Sequence, residues 1–450
     1  MASRKSTRSL GDLVREARTP MMGAGVYPVD HRLPGEVPIG KLRRRRMQRD
    51  DDEASMCVTL LRDENDVLRW ETDAGPSAFV PSRRRAGQRR RAGATPSEIV
   101  DQFKYRPLAG SKVGKMLDDL DNGFNKVRGL RALAANGWGP VGAMPVQTGR
   151  ILLIVHGTFS SSAAIHEGLS DTKLGRGFLR EAVGKNGYTQ VLAFEHPTLS
   201  VSPLLNGFDL ARFFADTAAE IDVICHSRGG LVVRWWLEAL NVNPRIKGAR
   251  VVFVGSPLGG TSLASPERLR QALNLLTNVI DLTRDVAGMA SLAVPMIGVI
   301  GGLMRLVGSA TRVAASTPVI DGAVAMIPGL AAQARMENNF ERMRLGLATR
   351  EVPKTYNVIR SNFEPDPAGW KFWKYFVKPV ERAADAAVDW VFEGANDLVV
   401  DTISMSELST QLAITEVACI CDFGTNPTVH HLNYFSQTRT VEFIAERLAR

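Results

Sequence analysis

The segment from Asp222 to Leu231 constrains the fold more than any other part of the chain. It runs from an apolar, β-like stretch directly into a turn of small residues that carries Ser227. This pattern is typical of a nucleophile elbow, in which a strand reverses into a helix and lifts the serine hydroxyl to the end of a sheet. The usual motif is G-x-S-x-G. Here Cys225 and Gly229 are the small residues on either side, and a thiol is small enough for the turn.

Four apolar runs of strand length surround this motif, with helix-length segments between them. They cover residues 151–155, 190–195, 221–225 and 250–254. Alternation of this kind predicts an α/β fold with a mostly parallel sheet and helices on both faces. The first run ends in His156 and Gly157, which suits an oxyanion loop, and the last leads into the glycine-rich segment Gly255–Thr261. Ligand sites in such sheets lie at the carboxyl ends of the strands.

Candidates for a catalytic acid and base follow Ser227 in the order that this fold requires. Asp397 lies in a loop-like stretch downstream of the strand-like residues 356–359. Asp401 is the alternative acid, and Asp397 is favoured because it precedes the strand-like pair at 399–400 instead of following it. His430 and His431 come 33 and 34 residues after Asp397, and their local chemistry does not decide between them.

These residues together resemble the lipase-like serine hydrolases of the α/β-hydrolase fold. That group includes bacterial lipases and proteins similar to the deacylase of glycosylphosphatidylinositol anchors. The resemblance covers roughly residues 148–450, and its motifs are specific only in combination. The matching residues are Val155–Gly157, His226–Val232 with Arg234, Gly255–Pro257 with Gly260 and Thr261, and Asn396–Val400.

The resemblance implies a definite set of roles. Ser227 would be the nucleophile, His431 the base, and Asp397 the acid that orients the imidazole. His431 is preferred over His430 because the histidine of lipase-like relatives commonly precedes a short hydrophobic and aromatic helix start. The backbone N–H groups of Thr158 and Arg228 would form the oxyanion hole. No metal or organic cofactor is expected.

Four further residues are candidates for contact with substrate: His156, Phe159, His226 and His196. For the three histidines, a structural role in loops, with hydrogen bonds to backbone carbonyls, is the favoured alternative. The side chain of Arg228 could bind an anionic group of the substrate or lie solvated beside the elbow.

Charge is distributed unevenly along the chain. Residues 1–150 hold 28 lysines and arginines against 18 acidic residues, while the whole chain carries a net charge of +9. The basic residues come in blocks at 43–46, 83–85 and 89–91, which predicts a solvated and partly disordered arm. The functional alternative is peripheral contact with an anionic membrane or nucleic acid. The residues for that contact would be Arg43, Arg44, Arg45, Arg46, Arg83, Arg84 and Arg85.

The chain is long enough for more than one compact domain. The predicted division is a basic N-terminal extension at 1–147 and an α/β-hydrolase domain at 148–450, with a helical apolar insertion at 266–350. A small β unit is predicted within residues 57–80, where residues 57–61 and 67–70 would pair as a hairpin. Removing residues 1–50 is expected to leave ester turnover largely unchanged.

The insertion contains 19 consecutive residues without a charge, Val286 to Met304. Its five glycine and proline residues and the absence of an aromatic belt make a membrane span the less favoured interpretation. A lid of helices over the active site is predicted instead, which would suit a hydrophobic acyl chain. A buried helical subdomain without a role in substrate binding is the alternative.

The start of the chain lacks the apolar core of a secretory signal, and its four cysteines are too few for a disulfide framework. A cytoplasmic location, with peripheral membrane contact as an alternative, is therefore expected. The sequence favours a serine esterase or lipase acting on a carboxylic ester. An amidase or peptidase with the same triad, or a non-catalytic scaffold that binds through its basic arm, remains open, as does the oligomeric state.

Overall fold

A computed structural model describes most of the chain. The described residues are 9–31, 55–73, 97–109, 112–134, 137–141, 148–241, 243–246, 248–264, 269–284, 289–313, 326–335, 339–346, 354–365, 391–392, 394–408 and 417–449. The arginine blocks at 43–46, 83–85 and 89–91 lie outside these residues, so the predictions made for them stay predictions.

Twelve strands are present in the described residues. They are β1 (Val26–Pro28), β2 (Met56–Asp63), β3 (Leu68–Asp73), β4 (Ser97–Tyr105), β5 (Gly129–Ala134), β6 (Gly137–Pro140), β7 (Arg150–Val155), β8 (Gln190–Glu195), β9 (Glu220–His226), β10 (Gly248–Val254), β11 (Lys354–Phe363) and β12 (Val417–Asn426). Eight of them form one sheet in the order β12-β11-β10-β9-β7-β8-β5-β6. All neighbours from β12 to β8 run parallel, and β5 and β6 add an antiparallel edge.

Helices cover both faces of this sheet. In chain order the helices of the described residues are α1 (Leu10–Gly23), α2 (Val113–Phe124), α3 (Ser162–Asp171), α4 (Lys173–Glu181), α5 (Pro203–Phe213), α6 (Gly229–Arg234), α7 (Leu269–Thr283), α8 (Met289–Val313), α9 (Pro328–Ala331), α10 (Phe340–Gly346) and α11 (Thr438–Arg447). A π-helical segment, Trp235–Leu240, continues α6. The described residues also form three short 3-10 turns, at Ser262–Ala264, Thr402–Ser406 and Tyr434–Ser436.

Strand β7 shows why helices must cover both faces of the sheet. All six of its residues are buried, and successive side chains point to opposite faces. Ile151 and Leu153 join a core with α5 and α6, whereas Leu152 and Ile154 join a core with α3, α4 and α11. Strands buried on both faces appear in sequence as continuous apolar runs. The prediction of a mostly parallel sheet with helices on both faces is confirmed.

The predicted start of the sheet domain at residue 148 is wrong. Strands β5 and β6 belong to the main sheet, since β5 pairs with β8 over residues 129–132. Most residues of this hairpin are only partly buried. A strand at the edge of a sheet needs no continuous apolar run, and the sequence therefore gave no strong signal for it.

The remaining four strands form a separate antiparallel sheet in the order β1-β4-β2-β3. Within it β2 and β3 pair as a hairpin, with Leu60 opposite Trp70, as the sequence predicts for this stretch. One hydrophobic core unites this sheet with α1, α2, α7 and α8. We call these elements together the cap. The described parts of the N-terminal segment and of the insertion thus share one core.

Helix α1 holds the cap together by packing on α8. A capping box between Ser9 and Asp12 fixes its start, and one face of the helix is buried, including Leu13 and Met21. The two helices approach so closely that a Cβ atom on Gly301 of α8 would stand 2.6 Å from Met21 Cε. A side chain at this position would have to displace the end of the Met21 side chain. This packing removes the basis for the expectation that residues 1–50 are dispensable.

The apolar character of α8 follows from its burial. Residues Ser291–Ala310 are long and apolar enough to cross a membrane, with a mean hydropathy of 1.7, and 72% of that stretch is buried inside the protein. A core helix satisfies the same criteria of length and composition as a membrane span. The contacts of α8 with α1, α2 and α7 account for its composition.

Shortening Leu13 tests whether the N-terminal helix is integral to the fold. Leu13 is 2% exposed in the core that α1 shares with α8. We expect Leu13→Ala to lower the free energy of unfolding by about 2–5 kcal/mol, because it leaves a cavity in a packed core. Thr19→Ala, at an exposed position of the same helix, is the matched control and is expected to change stability little. Chemical denaturation of both variants measures this, and equal effects would contradict the arrangement.

Candidate active site

Ser227 lies in the turn between β9 and α6, at the carboxyl end of a central strand of the sheet. Its backbone has φ 52°, in the left-handed region that residues other than glycine rarely adopt. The N–H of Ser227 donates to the carbonyl of Val254 at the end of β10, 3.0 Å away. Cys225 is fully buried at the position where the usual motif has glycine. The turn therefore has the strand–turn–helix geometry that the sequence predicts for an elbow.

Asp397 and His431 meet beside this turn. His431 Nδ1 lies 2.9 Å from Asp397 Oδ2, and the backbone N–H of His431 donates to the carbonyl of Asp397, also at 2.9 Å. The carboxylate is fully buried, and its Oδ1 accepts hydrogen bonds from the N–H groups of Val399 and Val400. Because Nδ1 faces the carboxylate, Nε2 is the ring nitrogen left for exchange of a proton with Ser227.

The alternative acid and base have other contacts. Asp401 accepts hydrogen bonds from the N–H and hydroxyl of Ser262, at 2.9 and 3.1 Å. His430 stands edge-on against Phe363, and burial lowers its pKa to about 4. Of the two acid and two histidine candidates, the structure brings Asp397 and His431 together.

The loop after β7 carries the residues proposed for the oxyanion hole. Phe159 has φ 53°, and this turns the chain directly after Thr158. The hydroxyl of Thr158 accepts a hydrogen bond from Gln333 Nε2 at 3.1 Å. Gln333 also donates to the carbonyl of Gly329, at 2.7 Å, so α9 anchors the loop from outside the sheet. Thr158 and Ser227 line the same cavity.

The side chain of Arg228 serves neither of the roles weighed for it from sequence. It is fully buried and donates from Nη2 to Asn206 Oδ1, 2.7 Å away, and to the carbonyl of Val201. Burial lowers the pKa of this guanidinium to about 10. Arg228 ties the elbow to the start of α5, and only its backbone N–H remains a candidate for the site.

Two of the histidines predicted to contact substrate do not border the cavities at the elbow. His156 and His196 are buried and stacked on each other, with ring centroids 4.1 Å apart. His156 Nδ1 bonds to the carbonyl of Gly157, and burial lowers the pKa of both rings. These contacts agree with the structural role that the sequence favours for both histidines, and their contact with substrate stays a prediction.

His226 and Phe159 stay beside the site. His226 Nε2 bonds to the carbonyl of His431 at 3.0 Å, and the two rings lie 4.7 Å apart. Burial lowers the pKa of His226 well below its usual value, which keeps the ring neutral. His226 thus holds the backbone of His431 in place. Both His226 and Phe159 also line a cavity described below.

Two further residues contact the acid–histidine pair in ways that were not predicted from the sequence. The Tyr434 hydroxyl donates to Asp397 Oδ2 at 3.0 Å, the same oxygen that faces His431. A Cβ atom on Gly255, which has φ 54°, would lie 3.1 Å from Asp397 Oδ2 and 3.2 Å from His431 Nδ1. Any larger residue would press on the acid–histidine contact. The aromatic run after His431 and the glycine after β10 were visible signals, but only the fold shows their partners.

Two cavities meet at the elbow. Cavity A is lined by Ser227, by α7 through Ala272, Leu273 and Leu276, and by Leu263. Cavity B is lined by α3 through Ala164, Ile165 and Gly168, by Leu292 and by Phe435. Five residues line both: Thr158, Phe159, Met296, His431 and Leu432. Among the described residues that line them there is no lysine, arginine, aspartate or glutamate, so both cavities are largely apolar.

Comparison with known families places most of the chain. The family described as "Domain of unknown function (DUF7379)" matches residues 124–449. The chain belongs to the DUF7379 family. That match begins just before β5, in agreement with the sheet domain starting earlier than residue 148. No curated protein matches this DUF7379 chain.

Solved structures with remote likeness to the DUF7379 chain include a lipase of Bacillus licheniformis in its mature form, at 15% identity and a TM-score of 0.38, over 71% of this chain and 98% of the lipase. Lipase 1 of Pelosinus fermentans is similar at 13% identity and a TM-score of 0.39, over 67% and 98%. An esterase of Pyrobaculum calidifontis is similar at 10% identity and a TM-score of 0.32, over 75% and 89%. Likeness of this degree is no guide to substrate.

The topology itself gives the fold. A mostly parallel eight-stranded sheet covered on both faces, with a strained serine turn between a central strand and its following helix, is the α/β-hydrolase fold. The prediction of this fold from the motifs is confirmed.

Exchange of the two aspartates for asparagine separates their roles in the DUF7379 chain. Asp397→Asn is expected to slow reaction of Ser227 with a fluorophosphonate by about 10³–10⁴-fold, because the amide no longer holds the imidazole in the required tautomer. Asp401→Asn changes the contacts with Ser262 and Arg335, leaves the contact between Asp397 and His431 in place, and is expected to slow labelling far less. The rate of labelling of each folded variant measures this. If Asp401→Asn lowered the labelling rate more than Asp397→Asn did, Asp401 and not Asp397 would be the acid.

Proposed function

We propose that the chain is a serine hydrolase that cleaves carboxylic esters. The observation that carries this proposal is the convergence of Ser227, in its strained turn, and His431, hydrogen-bonded to Asp397, on one apolar cavity. The three side chains come from positions up to 204 residues apart in sequence. A buried serine with a purely structural role needs no histidine and carboxylate beside it.

The geometry supports the following reaction. Ser227 Oγ attacks the carbonyl carbon of the ester while His431 Nε2 takes the hydroxyl proton. The carbonyl oxygen becomes an oxyanion, stabilised by the N–H groups of Thr158 and Arg228. The bond from carbon to the alcohol oxygen then breaks, and the alcohol leaves with the proton from His431. Water, deprotonated by His431, then attacks the carbonyl carbon of the acyl-serine. The bond from this carbon to Ser227 Oγ breaks, His431 returns the proton to Oγ, and the acid is released.

Asp397 keeps its negative charge throughout this cycle. Four hydrogen bonds reach its two oxygens, from the backbone N–H groups of Val399 and Val400 and from the side chains of His431 and Tyr434. An ionised carboxylate accepts hydrogen bonds only, and this set of donors matches that requirement. The carboxylate thereby stabilises the imidazolium that forms when His431 takes the proton.

The nature of the cavities favours an ester of apolar parts over a peptide. Cavities A and B present aliphatic and aromatic side chains on either side of His431. A peptide substrate would bring several amide groups into this space, and each buried amide without a hydrogen-bond partner costs about 1–3 kcal/mol. Amides of the same acyl group are therefore expected to react more slowly than esters.

Labelling with a fluorophosphonate tests this function without knowledge of the substrate. The wild-type chain is expected to be labelled at Ser227 and to hydrolyse p-nitrophenyl esters, and Ser227→Ala should lose both reactions. His431→Ala should lose nearly all of both, whereas His430→Ala should keep most, since His431 is the histidine whose ring is hydrogen-bonded to Asp397.

A folded wild-type chain that is neither labelled nor active on these esters would overturn the proposal in favour of a binding protein. Turnover of amides at rates equal to those of esters would point to an amidase instead. A greater loss in His430→Ala than in His431→Ala would exchange the two histidines.

A further inference from the structure

We propose that cavity B binds the alcohol part of the substrate, and that the substrate is a neutral ester with an apolar group on each side of the ester bond. This assignment rests on the proposed function and extends it to the substrate class. It follows from the position of the two cavities relative to Ser227 and His431.

The chemistry decides which cavity takes which part. The acyl carbon becomes bonded to Ser227, so the acyl group must extend into a space that the serine itself borders. Ser227 lines cavity A and is not among the residues that line cavity B. The leaving oxygen must receive its proton from His431, and the group attached to that oxygen must lie beyond the imidazole. His431 lines both cavities, so cavity B lies on the side of the leaving group.

The lining of cavity B selects against a charged alcohol. Ile165, Leu292 and Phe435 contribute apolar surface, and no charged side chain is found among the described residues that form its wall. Moving a charge from water into such a site without a partner of opposite charge is costly. A choline, a phosphate-bearing glycerol or an amino acid ester would therefore bind poorly, whereas each buried methylene of a simple alcohol would gain up to about 0.8 kcal/mol.

Separate helices form the distinctive walls of the two cavities. Helix α7 lines cavity A and α3 lines cavity B. Helix α8 closes both, since Leu292 borders cavity B and Met296, one turn later on the same face, borders both. A substitution on α7 or on α3 can therefore change the wall of one cavity and leave the other unchanged.

Two alanines give a matched pair of variants. Ala164 on α3 lines only cavity B, and Ala272 on α7 lines only cavity A. Ala164→Leu and Ala272→Leu each fill part of one cavity with the same side chain in a helix. Ala163→Leu, at the exposed neighbouring position of α3, controls for the substitution itself.

The experiment compares two series of esters on the full-length chain. One series varies the alcohol of an acetate from ethyl to hexyl, and the other varies the acyl group of an ethyl ester over the same lengths. In the wild type, kcat/KM should rise along both series, by up to about fourfold for each methylene. Acetates of choline and of 3,3-dimethylbutanol, which have the same shape with and without a charge, form a third comparison, and the neutral ester should react faster.

The variants should then respond in opposite ways. Ala164→Leu should lower kcat/KM for hexyl acetate by about tenfold or more and leave ethyl hexanoate nearly unchanged, and Ala272→Leu should do the reverse. Ala163→Leu should follow the wild type. Losses in the same series for both variants, or a preference for the choline ester, would overturn the assignment.

A second readout separates this assignment from the proposed function. The rate at which a small ethyl fluorophosphonate labels Ser227 measures the reactivity of the serine in each variant. This probe carries neither a long acyl chain nor a long alcohol chain. If labelling persists while the two series fail to separate, cavity B is not the alcohol site and the hydrolase function stands. If the wild type is not labelled and no ester is cleaved, the proposed function fails and the assignment fails with it. A variant that fails to fold is replaced by Leu292→Ala, which enlarges cavity B and should shift the preferred alcohol to a longer one.

Discussion

The strained backbone of Ser227 is the constraint on which the rest of the structure depends. A residue other than glycine in the left-handed region costs of order 1–3 kcal/mol and persists only where the surrounding structure holds it. Here the holding structure is the centre of the sheet. β9 is paired in parallel register with β7 on one side and β10 on the other, and the N–H of Ser227 continues the ladder to Val254. The sheet must therefore be complete before the serine can take its position.

Asp397 and His431 both lie beyond the carboxyl ends of the parallel strands, but each is carried by a different loop. Asp397 lies in a loop after β11 and His431 in a loop after β12, and neither is in a regular element. Two hydrogen bonds join the loops, one through the backbone of His431 and one through its ring. Tyr434 adds a third from the following turn. Each loop thus fixes the other, and a change in Gly255 beneath them would disturb both together.

Much of this arrangement could be predicted from sequence, and the reasons for success and failure are physical. The central strands were visible because burial on both faces requires unbroken apolar runs such as residues 151–155. The elbow was visible because its turn admits only small neighbours. The hairpin of β5 and β6 was not, since an edge strand with half-buried residues has no such composition. Gln333 was missed because its partner Thr158 lies 175 residues away, and no local pattern records a contact at that separation.

The cap shows most clearly what sequence cannot supply. Nothing in the sequence predicts that Leu13 and Met21 of α1 share a core with Met296, which lies more than 270 residues later. Helix α8 presents glycine to α1 on one side and Leu292 and Met296 to the cavities on the other. The packing of α1 is therefore one of the contacts that hold α8 in position beside the cavities. Because interiors are close-packed, a change in that contact is transmitted to the cavity wall and is not absorbed locally. Under the proposed function, the stability of the N-terminal segment and the selectivity for substrate would therefore both depend on α8.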